Sequence, residues 1–176
     1  MDYRKKQKMS LKRLYLSHKN HKTETFHIGL SNKVQRNRYI IFIDCDDRTR
    51  LSQLIGGLDF ITRKFELSPF YIIQSSLWKY QAISFTIVDW NTLTQIMNLA
   101  LLLGIVEPEY IWCSKKKHYM VLRVGQKNGQ PPKLLYKLEG CAPENNFMKN
   151  LYENFINHYT KDEQKVNLHN GLQINQ

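Results

Sequence analysis

The stretch Tyr39-Ile40-Ile41-Phe42-Ile43-Asp44-Cys45-Asp46-Asp47 joins an unbroken run of β-forming apolar residues to a run of acidic ones. A short apolar run of this composition is typical of a buried strand. Asp44 and Asp46 are two residues apart, so in an extended chain their carboxylates point to the same side. Their mutual repulsion is relieved when a cation lies between them. Because hard carboxylate oxygens favour Mg²⁺ or Mn²⁺, the sequence predicts a divalent-metal site with Asp44 and Asp46 as ligands.

A purely structural interpretation of the same acids stays open. In that interpretation they end the strand and lead into the next helix, with Asp47 as its N-cap.

Positive charge is concentrated near the N-terminus. The chain of 176 residues has a formal net charge of +11, and residues 1–38 hold eleven basic and two acidic residues. Such a segment binds phosphates by releasing condensed counterions, so the sequence predicts DNA or RNA as a partner. The predicted contacts are Arg4, Lys5, Lys6, Lys8, Lys12, Arg13 and a second cluster, Lys115, Lys116 and Lys117. A solvated tail and a solvated turn are the alternatives.

Several protein classes do not fit this composition. No apolar stretch approaches the roughly 18 residues of a membrane span, and the first residues are too basic for a signal peptide. We therefore expect a soluble cytoplasmic protein without a membrane partner. The three cysteines show no C-x-x-C spacing, which argues against a disulfide scaffold and a zinc site. The six histidines contain no His-x-His pair of the kind that a rolling-circle endonuclease needs.

Hydrophobic periodicity predicts an α+β fold of ferredoxin-like (RRM-like) type, with the order β-α-β-β-α-β. After the first strand come a helix over 50–64, strands over 70–74 and 82–88, a helix from Asp89 to Gly104, and a strand over 120–124. A short strand is also expected over 110–113. The predicted division is a basic N-terminal arm (1–37), the α+β domain (38–140), and a C-terminal amphipathic helix with a tail (141–176). In this topology the first and third strands are central neighbours, which places Asp44 near Gln81, and the fourth strand flanks the first.

Two local features refine this outline. Gly56-Gly57, in the middle of the first helix, predicts close packing or a bend, because glycine lowers helix propensity. Asp89 precedes an apolar periodic run and is expected to cap the second helix.

Three segments resemble the motifs of the archaeo-eukaryotic primase superfamily. Asp44-Cys45-Asp46 looks like its first motif, and Ser75-Ser76-Leu77-Trp78-Lys79-Tyr80-Gln81-Ala82-Ile83-Ser84 resembles its second. Val121-Leu122-Arg123-Val124, followed by Lys127, is similar to the arginine-bearing strand of smaller members. The resemblance covers about residues 38–135 and implies a palm domain.

The resemblance also implies an activity: primase- or polymerase-like, metal-dependent nucleotidyl transfer in DNA replication, for example of a plasmid, a virus or another mobile element. Asp44 and Asp46 would then bind Mg²⁺ or Mn²⁺, with Glu107, preferred to Glu109, as the third catalytic carboxylate. Nucleoside triphosphate would be bound by Ser75, Ser76, Lys79, Gln81, Arg123 and Lys127. The implied partners are a DNA or RNA template, nucleoside triphosphates, and a separate helicase or accessory replication subunit, since the chain has no P-loop motif.

Gln81 departs from the family pattern, which has a histidine at this position. Glutamine can donate a hydrogen bond but cannot carry a positive charge. Two interpretations follow: an enzyme of modified activity, or a catalytically inactive, RRM-like module that binds nucleic acid. Metal dependence distinguishes them.

Overall fold

The chain forms a mixed α+β structure with antiparallel sheets. The computed structural model describes residues 13–20, 23–45, 49–123, 132–150 and 153–154, with the backbone alone for Arg123 and for the strands before Leu30. In chain order its elements are β1 (Arg13–Asn20), β2 (Thr23–Ser31), β3 (Lys33–Gln35), β4 (Arg38–Asp44), α1 (Leu51–Lys64), β5 (Phe70–Ser76), β6 (Lys79–Val88), α2 (Trp90–Leu102), α3 (Pro108–Lys117), β7 (Val121–Arg123) and β8 (Lys133–Leu138).

The strand that contains the apolar run lies inside a five-stranded sheet of order β3-β4-β6-β5-β8. Each residue from Ile40 to Ile43 in β4 is fully buried. Burial on both faces explains why this strand has a continuous apolar sequence and no alternation of polar and apolar residues. β4 pairs with β6 and β6 pairs with β5, so the predicted first and third strands are neighbours.

A buried asparagine connects this sheet to a second one, of order β1-β2-β7. Asn32 lies at the bend between β2 and β3 and is fully buried. Its side chain donates to the Ile40 carbonyl (2.9 Å) and accepts from the Met120 amide (2.8 Å). Its backbone N–H donates to the Met120 carbonyl, and its carbonyl accepts from the Ile40 amide, both at 3.0 Å. One polar residue therefore holds β4 and the start of β7 together, with these groups satisfied.

Helix α1 confirms the predicted apolar stripe, because Leu54, Leu58 and Ile61 are buried. Its N-cap is Arg50, so Asp47 does not cap it. The close packing predicted for the glycine pair is confirmed at Gly57, where an added Cβ would collide with Ile105 Cδ1.

The hairpin and the second helix also confirm the sequence predictions. β5 and β6 form an antiparallel hairpin with a tighter turn than expected, at Leu77 and Trp78. Asp89 caps α2 by accepting a hydrogen bond from the Thr92 amide at 2.7 Å, and this bond lowers the pKa of Asp89. α2 ends before Gly104, whose positive φ of 66° is favourable for glycine.

Two predictions about the segment after α2 are wrong. The short strand expected over 110–113 is part of helix α3, which begins with Pro108 directly after its N-cap Glu107. The N–H groups in the first turn of a helix have no acceptor within the helix. Proline is favourable at that position because it lacks an N–H and so loses no hydrogen bond there. The strand expected to flank β4 is β7, but β7 pairs with β2, and the neighbour of β4 is β3.

The ends of the chain contain more strand than the sequence predicted. The stretch assigned to the basic arm includes β1, β2 and β3. β8 follows the Pro131-Pro132 segment and pairs with β5. Near the C-terminus, residues 146–150 and 153–154 are helical. No helix in the described part of the chain is long and apolar enough to span a bilayer.

Candidate functional site

The end of strand β4 brings Asp44 and Gln81 together. They are directly opposite each other in the β4–β6 pairing, so their side chains lie on the same face of the sheet. Gln81 Nε2 donates a long hydrogen bond of 3.4 Å to Asp44 Oδ1. Gln81 is 4% exposed, whereas Asp44 is exposed. A buried amide thus orients a carboxylate that solvent, or a ligand, can reach.

Cys45 continues the strand pairing beyond Asp44. Its backbone N–H donates to the Tyr80 carbonyl at 3.1 Å, which holds the backbone next to Asp44 against β6 at this end of the sheet. Burial, together with the nearby charge of Asp44, raises the pKa of the Cys45 thiol far above its ordinary value. The thiol is therefore protonated at neutral pH and is neither a nucleophile nor a metal ligand in this state.

Tyr110 is a member of this site that the sequence did not predict. Burial is the main cause that raises the pKa of its hydroxyl, and the charge of Asp44 contributes. The buried hydroxyl lies near the Asp44 backbone but forms no hydrogen bond of ordinary geometry with any residue that the structure describes. The sequence signal was the Glu-Pro pair at 107–108, which marks the start of a helix and places Tyr110 in its first turn.

The hairpin supplies the next group of predicted residues. Ser75 is 4% exposed, and its hydroxyl donates to the Lys79 carbonyl at 3.5 Å. Ser76 pairs with Lys79 across the turn. Lys79 precedes Gln81 by two residues on β6, so both side chains lie on the face that carries Asp44. The fold therefore gathers Asp44, Lys79 and Gln81 on one side of one sheet end.

Glu107 lies on the segment that passes this sheet end. Thr49, just after the acidic run, donates from its hydroxyl to the carbonyls of Gly104 (3.2 Å) and Ile105 (3.4 Å). Gly104 and Ile105 precede Glu107 in the chain, and Tyr110, which follows Glu107, lies near Asp44. Glu107 itself is exposed and extended, with φ −80° and ψ 149°, the conformation expected before Pro108. Glu109 is also exposed.

Other predicted residues are not brought to Asp44 by the described structure. Arg123 is in β7, where its backbone pairs with Gly29 in the second sheet. Arg13 begins β1 and pairs with Leu30. Predicted residues that lie outside the described residues are Asp46, Lys127, Arg4, Lys5, Lys6, Lys8 and Lys12.

The lysine cluster predicted to bind nucleic acid occupies the last turn of α3. Lys115, Lys116 and Lys117 are all exposed. Lys116 Nζ lies 5.3 Å from the centre of the Trp112 ring, and Lys115 Nζ donates to Asn98 Oδ1 at 3.3 Å. Cations are favourable at a helix C-terminus, so these lysines also stabilise α3.

A carboxylate such as that of Asp44 is the kind of ligand that hard divalent cations prefer. Within the described ranges, no three His, Cys, Asp or Glu side chains are grouped as a metal centre. Of the predicted ligands Asp44 and Asp46, only Asp44 lies within the described residues. The ligand role of Asp46 stays a prediction. If Asp46 and Glu107 join Asp44, the donor set is oxygen only, which is typical of Mg²⁺ or Mn²⁺.

Comparisons with known protein families, with curated protein sequences and with solved structures find no match for this chain.

Proposed function

We propose that this chain is a metal-dependent nucleotidyl transferase of primase–polymerase type that acts on nucleic acid. The proposed palm is a ferredoxin-like unit made of β4, α1, β5, β6 and α2. The order of these elements and the central position of β4 beside β6 support this proposal. The additional helix α3 and the pairing of β7 with β2 distinguish this chain from the simplest form of that topology.

The meeting of Asp44 and Gln81 is the observation that carries the proposal. These residues belong to two motifs that are 37 positions apart in the chain. The resemblance alone places them on neighbouring strands, and the fold puts them in register and in contact. In addition, the N-cap position of α1 is Arg50, which makes no side-chain capping hydrogen bond, so capping of α1 by Asp47 does not account for the acidic run.

The residues of the site have separate roles in the proposed reaction. When bound, the divalent ion would lower the pKa of the attacking hydroxyl and neutralise charge on the triphosphate. Asp44 and Asp46 would hold it, with Glu107 as the third carboxylate. Lys79 supplies a positive charge on the same face as Asp44, suited to a phosphate. The Ser75 and Ser76 hydroxyls are close to Lys79 along the hairpin.

Gln81 has a positioning role in this proposal. Its amide donates to Asp44 and thereby fixes the orientation of the carboxylate. Because glutamine is uncharged, stabilisation of the triphosphate would be weaker than with the histidine of the family. We therefore propose a slow enzyme whose rate rises when a histidine is restored.

A primer-extension assay with Mn²⁺ and a labelled primer–template tests the proposal. The wild type, Gln81→His and the double variant Gln81→His with Asp44→Ala should be compared. We expect Gln81→His to raise incorporation, by at most about 10²–10⁴-fold, the range of well-placed acid–base groups. Asp44→Ala should abolish the activity. Asp59→Asn is the control, because Asp59 is an acid on α1 whose carboxylate pairs with Arg63.

The alternative is a module that binds nucleic acid without chemistry. Folded protein that yields no extension product in any variant, and binds DNA equally well in EDTA, would establish this alternative.

A further inference from the structure

The turn between β5 and β6 exposes two large apolar side chains. Leu77 is 75% exposed and Trp78 is 69% exposed. Both follow the serine pair and precede Lys79, so the turn lies beside the candidate site. Trp78 is three residues before Gln81, about 10 Å along the strand at 3.3 Å per residue.

The conformation of this turn is unfavourable for the residues that form it. Trp78 has a φ of 61°, in the left-handed region that large side chains rarely adopt. Tight hairpin turns ordinarily use Asn-Gly or Asp-Gly, which accept positive φ and solvent exposure. Here the chain keeps an indole at a position where glycine would be more favourable for folding. A residue held in a costly conformation at a surface points to function.

The surroundings of the indole favour a phosphate-bearing partner. Lys79 follows it directly, and Lys133 on β8 pairs with Gln74 of the same hairpin and is exposed. Hydroxyls and ammonium groups are ligands of phosphate oxygens, and the whole chain carries a net charge of +11. An exposed indole on a hairpin that also carries or adjoins lysines is an arrangement that binds single-stranded nucleic acids, with bases stacked on aromatic rings and phosphates on cations.

We infer that Trp78 stacks on an unpaired base of a single strand, and that the turn Leu77–Trp78 holds this strand beside the candidate site. The inference rests on the proposed action on nucleic acid, but it requires no catalysis. It concerns single strands because a base within a duplex has no free face for an indole.

The test is a binding titration of the full chain in EDTA, followed by fluorescence anisotropy. The probes are a labelled 12-nucleotide oligo(dT) and a blunt 12-base-pair duplex. Trp78→Ala should weaken binding of oligo(dT) by roughly 5- to 150-fold, the range for loss of one stacked base. Binding of the duplex should change less than about two-fold, because phosphate contacts remain. Trp78→Phe should retain most of the affinity, and Phe60→Ala, which removes an exposed aromatic on α1, should retain all of it.

Trp78→Gly separates function from folding. Glycine removes the left-handed strain, so the melting temperature should rise by about 2–4 °C while affinity for oligo(dT) falls as in Trp78→Ala. Three results would each overturn the inference: unchanged affinity of both variants for oligo(dT), an equal loss for oligo(dT) and duplex, or wild type that does not bind oligo(dT). None of these results depends on nucleotide incorporation, so the proposed activity is tested separately by the primer-extension assay.

Discussion

At the residue scale, the candidate site combines a solvent-facing carboxylate with groups that are closed to water. Asp44 is exposed, whereas Gln81 and Cys45 are buried beside it. Burial raises the pKa values of Cys45 and Tyr110, and the nearby charge of Asp44, little screened in these apolar surroundings, raises them further. A cation at Asp44 would act against this effect.

Tyr110→Phe tests how the site uses its buried hydroxyl. A buried polar group without a hydrogen bond destabilises the fold, so its removal should raise the free energy of unfolding by about 1 kcal/mol in metal-free protein. Urea denaturation measures the change. Ser114→Ala is a control of opposite sign, because the Ser114 hydroxyl donates to the Tyr110 carbonyl at 2.7 Å. A loss of stability in Tyr110→Phe would show that the hydroxyl is hydrogen-bonded in the folded protein, with the nearby Asp44 backbone as the first candidate acceptor.

At the scale of one element, the glycine pair of α1 offers a matched experiment. Gly56 has open space where a Cβ would be added, whereas at Gly57 that atom would meet the buried side chain of Ile105. Gly56→Ala should therefore raise the free energy of unfolding by about 0.5–1 kcal/mol through helix propensity. Gly57→Ala should lower it by about 1 kcal/mol, because overpacking exceeds the same gain. Equal effects of the two substitutions in urea denaturation would contradict the packing of α1 against Ile105.

The elements that the sequence predicted are those in which local pattern and tertiary structure agree. β4 was predictable because an unbroken apolar run of this length is typical of a buried strand. α1 was predictable because its apolar residues repeat every three or four positions.

Helix α3 was missed because Tyr110-Ile111-Trp112-Cys113 consists of residues favoured in strands. The helix-starting effect of the Glu-Pro pair before this segment is stronger than their strand preference. β7 pairs with β2 next to Asn32, whose hydrogen bonds to Met120 span 88 positions of sequence and leave no local signal. The contact of Asp44 with Gln81 followed from the predicted strand order, but Tyr110 could not be placed without α3.

Glu144 attaches the segment after β8 to strand β5. Glu144 accepts a hydrogen bond from the Tyr71 hydroxyl (2.7 Å) and pairs with Lys137 (3.0 Å) and Lys149 (3.4 Å). Burial acts to raise the pKa of Glu144, but the hydrogen bond from Tyr71 and the two ammonium groups lower it, and the net pKa is below its ordinary value.

The pH dependence follows from the sign of this shift. A carboxyl with a depressed pKa stabilises the fold above its unfolded pKa of about 4.3, and this contribution is lost as the pH falls through the folded value. Glu144→Gln should cost about 1–2 kcal/mol at pH 7 and progressively less as the pH falls below the unfolded pKa of about 4.3. Urea denaturation of both proteins across this range measures the difference. If the free energies of unfolding of the two proteins differ by the same amount at every pH, packing and not the charge of Glu144 attaches the segment to β5.

At the scale of the whole molecule, the uneven distribution of charge makes a prediction about salt. Residues 1–12 contain five basic residues and one acidic one, and β1 begins at Arg13. A truncation of residues 1–12 therefore removes charge without removing a described strand. Each lost phosphate contact should reduce the slope of log affinity against log salt by about 0.7–0.9, for single and double strands alike. An unchanged slope in binding titrations between low and moderate salt would show that this segment only solvates the protein.

Crystals soaked with Mn²⁺ and a nucleoside triphosphate would show whether the acids at the end of β4 hold a divalent ion. We expect an anomalous peak about 2.0–2.6 Å from carboxylate oxygens of Asp44 and Asp46, the range for hard cations bound to oxygen. The same soak of Asp44→Asn crystals should lose this peak. Wild-type crystals in which the two carboxylates lie on opposite sides of the chain, with no peak between them, would show that these acids do not form a metal site.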